Sequence, residues 1–72
     1  VLQKKLGRRI AELRRSRKLT QESLAEALGC SVEFISLVER GVNSPSVGSL
    51  ENYAKVLKVS VRELFTFEDT KR

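Results

Sequence analysis

Eight basic side chains crowd the first eighteen residues. Lys4, Lys5, Arg8, Arg9, Arg14, Arg15, Arg17 and Lys18 stand against one acid, Glu12, so eight positive charges less one leave +7 there. The rest of the chain carries six bases and eight acids, or −2, and the whole sums to +5. The chemistry open to such a segment is electrostatic, because clustered cations on a nearly neutral body attract a polyanion. A solvated helix face has the same composition, so charge alone leaves both readings open. Catalysis finds little to work with. There is no histidine to serve as base or metal ligand, and Cys30 is the only cysteine, which excludes an internal disulfide and leaves no zinc set. Gly7, Gly29, Gly41 and Gly48 are scattered and form no phosphate loop. No enzyme activity, cofactor or metal is expected.

The elements that must position these charges are helices. Seventy-two residues suffice for one domain, 1–72, with a small core that must come from close helix packing, alone or with a second copy. Leu6, Ile10 and Leu13 recur at helical spacing in a first helix ending near Arg17–Lys18. Thr20 is suited to cap a second helix, QESLAEAL, that buries Leu24, Ala25 and Leu28. Gly29 ends it, and Ser31 caps a third helix over 32–39. Gly41, Asn43 and Pro45 break the chain before a fourth helix capped by Ser46, with Val47, Leu50, Ala54 and Leu57 on one face. VRELF closes the chain with a short fifth helix presenting Val61, Leu64 and Phe65. No strand pattern competes, so the fold class is all-α, a compact five-helix bundle.

The brief stop at Gly29 implies a steep crossing of helices two and three, a helix-turn-helix over about 21–40. Ala25 supplies the small inward residue that such close contact needs. On a wheel at 100° per residue, Ile35 and Val38 point inward, flanked by Ser31 and Phe34. Glu33, Ser36, Leu37 and Arg40 fall on the opposite side, with Val32 at its edge. The core gives no reason for a leucine at 37. A single exposed leucine is ordinary on any surface; the alternative is an apolar contact, such as a thymine methyl or a partner protein.

With these motifs in place, LGRRIAELRRSRKLTQ, LAEALGCSVEFISLVERG and NSPSVGSLENYAKVLKVSVRELF together resemble the helix-turn-helix domain of lambda-type repressors and Cro. The likeness spans nearly the whole chain. It implies a sequence-specific double-stranded DNA-binding regulator whose third helix enters the major groove. Val32, Glu33 and Leu37 match base-facing positions; Thr20, Gln21, Ser36, Arg40 and Asn43 match positions that hold the sugar-phosphate backbone. To these we add the basic residues Arg17 and Lys18. The resemblance also implies a structural ion pair between Arg14 and Glu39.

Several residues depart from the family pattern. Lys58 occupies a position usually held by glycine after helix four, and Ser23 replaces the acid of a capping box; Phe34 matches a family preference for Tyr or Phe but lacks the hydroxyl that could bond a phosphate. The outer face also lacks the arginine and amide side chains of bidentate base readout. Glu33 can accept from a cytosine amine but repels phosphate, so affinity is expected from Arg40, the start of helix two and residues 17–18. DNA shape would then contribute to selectivity. Val61, Phe65 and Phe67 are the expected homodimer interface, for a palindromic operator with half-sites about one turn apart. In the plainer reading Phe65 completes the core and Phe67 covers it. The alternative function is a helical protein-interaction module using Leu37 and Phe67. Cys30, beside the cap of helix three, reads as packing. No apolar run approaches the roughly 20 residues of a membrane span, and a cytoplasmic location is expected.

Overall fold

The computed structural model describes residues 1–67. Helix α1 covers Leu2–Ser16, α2 Gln21–Leu28 and α3 Val32–Glu39; a 3-10 turn at Val47–Ser49 leads into α4, Leu50–Leu57, and α5 is Val61–Leu64. The fold is all-α, with no strand among the described residues, and none of its helices is long and apolar enough to cross a membrane.

Most boundaries have local causes. Thr20 Oγ1 accepts the Ser23 N–H at 2.9 Å and Ser31 Oγ that of Phe34 at 3.1 Å, each satisfying an N–H that its helix cannot. Gly29 takes the left-handed conformation at φ 74°, which sends the Cys30 N–H back to Ala25 O at 3.0 Å. Lys58 does the same after α4 at φ 62°, despite its Cβ. Lys18 does so after α1 at φ 59°. Ser60 and Glu63 close a reciprocal capping box at the start of α5.

The fourth helix differs from expectation. Ser46 caps nothing with its side chain; instead the Ser49 hydroxyl and N–H both donate to Ser46 O, at 2.9 and 3.0 Å. The resulting 3-10 turn uses three residues per turn, so it rotates Val47 off the face shared by Leu50, Ala54 and Leu57. Val47 is 85% exposed, and Tyr53, 3% exposed, fills the core in its place.

Leu6, Ile10 and Leu13 of α1 meet Leu24 and Ala25, Ile35 and Val38, Tyr53, Ala54 and Leu57, and Leu64 in one cluster. Leu28 packs against its rim. Leu64, not Phe65, completes the core; Phe65 is 37% exposed. Helix α1 lies unusually close to the end of α3. A Cβ on Gly7 would collide with Val38 O and stand 2.9 Å from Glu39 O, so only glycine permits this approach.

Candidate nucleic-acid interface

The start of α2 and the end of α3 are held together by a partly buried polar cluster. Arg14 Nε donates to Glu39 Oε2 at 2.6 Å and Arg14 Nη2 to Oε1 at 3.2 Å. A third donor, Gln21 Nε2, reaches Oε1 at 2.9 Å, and Arg14 Nη1 bonds Leu19 O at 2.8 Å. The paired side chains are only 11% and 6% exposed. The forked geometry satisfies both carboxylate oxygens, the condition under which a buried pair is tolerated.

This cluster redefines one expected phosphate ligand, and a second is engaged outside it. The Gln21 amide nitrogen is turned to Glu39, so what the residue offers outward is its backbone N–H at the open end of α2. Arg17 is committed elsewhere: its Nε donates to Leu57 O at 2.7 Å and its Nη2 to Lys58 O at 3.1 Å. It caps the carbonyls at the end of α4, which attract a cation both as acceptors and as the negative end of the helix dipole. Lys18 is exposed and has no such role.

Glu33 on α3 and Arg40, which caps its C-terminal end, are exposed, and Ser36 and Leu37 half-buried. Leu37 does not join the core, whereas Val32 packs partly against it. Val32 therefore stands between the two surfaces and is less exposed than Glu33. Arg40 Nε lies 3.4 Å from Ser36 O, one turn back along the helix. Beyond α3, the N–H groups of Val42 and Asn43 both donate to Leu37 O. Gln3 Nε2 bonds Gly41 O at 2.6 Å, tying this loop to the start of α1.

Between α1 and α3 lies an open cleft of about 520 Å³ lined by Lys4, Arg8, Arg15 and Arg40, with Ala11 and Glu39 among its walls. The bases of α1 were visible in the sequence as a cluster of charge. Their meeting with Arg40 was not, since it depends on the helix approach that Gly7 allows.

A second cavity, about 340 Å³, sits beneath the start of α3 and is bounded by Leu28, Cys30, Phe34, Asn52 and Tyr53. Burial, and secondarily the charge of the nearby Cys30, pushes the Tyr53 hydroxyl up to about 12. Burial likewise raises the Cys30 thiol, which works against thiolate chemistry there. No group of side chains among the described residues could hold a metal ion.

On the far side, Phe65 and Phe67 meet edge to face at 6.3 Å, and Lys5 Nζ lies 6.0 Å from the Phe67 ring centre. Val61 and Phe65 remain 36% and 37% exposed, while Phe67 is half-buried.

Residues 10–64 match the model of the helix-turn-helix family. The chain belongs to that family. It is 43% identical over 58 residues to the HTH-type transcriptional regulator YazB of Bacillus subtilis, covering 81% of this chain and 84% of that protein. The restriction-modification controller protein C.AhdI of Aeromonas hydrophila has the same fold, with a TM-score of 0.81, 37% identity and coverage of 86% and 94% of the two chains. SinR, a master regulator for biofilm formation solved in complex with DNA, superposes with a TM-score of 0.77 and 34% identity, covering 85% of this chain and 98% of its own.

Proposed function

We infer that this protein, a DNA-binding regulator of transcription, reads double-stranded DNA with α3 laid in the major groove. The observation that supports this most is the grouping of Glu33, Leu37 and Arg40 on the face of α3 turned from the core, beside the open start of α2. Glu33 accepts from a cytosine amine and Leu37 packs on a thymine methyl, with Val32 contributing at the edge of the contact. The backbone N–H groups at Gln21 and Glu22, next to the Thr20 cap, hold one phosphate, as a helix start does. Ser36, Arg40, Asn43 and Lys18 meet the strand on either side; Arg17 does not. Contacts of this kind set orientation and affinity, while the base contacts select sequence.

The chain acts as one domain and binds as a homodimer through Val61, Phe65 and Phe67, so its operator is palindromic. Its place of work is the cytoplasm, where the chromosome of a bacterium or a phage is read.

Selection of bound duplexes from a random DNA pool at near-physiological salt tests this. An enriched palindrome with half-sites about one helical turn apart is the expected result. A pool that stays unenriched would sink the base-reading role of α3 and favour a protein partner for Leu37.

A further inference from the structure

We propose that the cleft between α1 and α3 seats backbone phosphates of the bound DNA, with Lys4, Arg8 and Arg15 of α1 as phosphate ligands alongside Arg40. This rests on the DNA-binding reading and extends it to a helix outside the helix-turn-helix.

Four cations line the cleft. Among the described residues, Lys4, Arg8 and Arg15 make no ion pair or side-chain hydrogen bond. Surface arginines commonly find a carboxylate, yet the acid nearest in sequence on α1, Glu12, is held by Arg9 at 3.6 Å. The one carboxylate in the wall, Glu39, is occupied on both oxygens by Arg14 and Gln21. Its charge is thereby neutralised beneath the cleft, and the four cations above it stay uncompensated. An anion entering there meets attraction without a competing acid.

Geometry selects an extended anion over a compact one. Lys4, Arg8 and Arg15 follow one face of α1, and eleven residues at 1.5 Å each spread them over roughly 16 Å. That length suits a run of phosphates along one strand. The cleft also opens beside Ser36 and Arg40, which belong to the outer face of α3. A strand held at the start of α2 and at Arg40 would therefore pass along it. Gly7 and Ala11 bring α1 close enough for this, because a larger residue at 7 would push α1 away from α3.

Arg8→Gln and Arg15→Gln remove one charge each from exposed side chains. Lys55→Gln, on exposed α4 surface outside the cleft, removes the same charge as a control. Affinity for the selected operator and for a random duplex is measured by fluorescence anisotropy across a salt series. Each cleft variant should lower the slope of log affinity against log salt by about 0.9, and the pair by about 1.8. Operator and random DNA should weaken by the same factor, and Lys55→Gln should leave the slope unchanged. Slopes that fall no further than in the control, with wild type still steeply salt-dependent, would overturn the cleft while DNA binding stood. A changed base preference in the cleft variants would also overturn it, since phosphate ligands carry no sequence information. If wild type showed no salt-dependent DNA binding, the functional reading would fail and the cleft with it.

Discussion

Removing the Glu39 carboxylate should be the most damaging single change that leaves the outer surface intact. Glu39→Ala takes away the acceptor of three hydrogen bonds at 2.6, 3.2 and 2.9 Å, stranding Arg14 Nε and Nη2 and the Gln21 amide. Exposure decides the magnitude. An ion pair in open solvent contributes about 0–1 kcal/mol, but these side chains are 11% and 6% exposed. The buried case therefore applies, and breaking one partner costs about 3–5 kcal/mol. A 72-residue domain has roughly 4–11 kcal/mol in all, at 0.05–0.15 per residue. The variant should accordingly be close to unfolded at room temperature, or melt more than about 12 °C lower, at 4–8 °C per kcal/mol. Urea unfolding followed by far-ultraviolet circular dichroism measures it. Arg14→Met with Glu39→Leu supplies the control: with no buried charge left, stability should return to within about 1 kcal/mol of wild type. A loss under about 1 kcal/mol for Glu39→Ala, or a double variant as unstable as the two singles added together, would refute the reasoning.

Gly7→Ala should destabilise by about 1–2 kcal/mol although alanine favours helix, because the collision with Val38 O and Glu39 O outweighs a propensity gain of up to about 1 kcal/mol; an unchanged or higher melting temperature would show that α1 and α3 can part freely. Lys58→Gly should stabilise by about 1 kcal/mol, since the residue sits at φ 62° and ψ 42°, where a Cβ is strained, and a urea midpoint that does not rise would contradict that account. For Tyr53, burial favours the neutral phenol, so the unfolded chain ionises first. The stabilisation is complete below the ordinary value of 10.0 and is lost as pH rises towards about 12. Wild type should therefore lose on the order of 2 kcal/mol relative to Tyr53→Phe across that window. Tyrosinate absorbance from this single tyrosine should rise only near the upper limit, and a midpoint near 10 in the folded protein would rule the burial effect out.

How much was legible in the residues depended on the distance over which each feature is decided. Thr20, Gly29 and Ser31 act on backbone groups within five residues, and the ends of α2 and the start of α3 fall where those residue types put them. Leu6, Ile10, Leu13, Ile35 and Val38 declare an inner face by period alone, and all five are buried. The same period left Glu33, Leu37 and Arg40 outside. Lys58 was recognisable as a strained helix end from a family pattern, and its backbone is left-handed. Val47 was misread although its cause is local. The hydrophobic pattern cannot distinguish one turn of 3-10 helix from a turn of α-helix, and that difference moved Val47 into solvent and Tyr53 inward.

Other features depend on where the helices cross. Arg17 looks like one more cation in a basic run, yet its partners are carbonyls forty and forty-one residues away. Gln21 looks free to meet a phosphate, yet its amide lies against Glu39 once α2 and α3 pack. Gly7 carries no signal within its helix, since its reason is the backbone of α3. Chain order and residue type were enough for the helices, their caps, their buried stripes and the sign of the charge, because each follows from interactions a few residues long. Which cations remain available, which acid is neutralised and where a basic cleft opens came from the packing of α1 on α3, because charges separated by dozens of residues acquire partners only when the backbone brings them within a few ångströms.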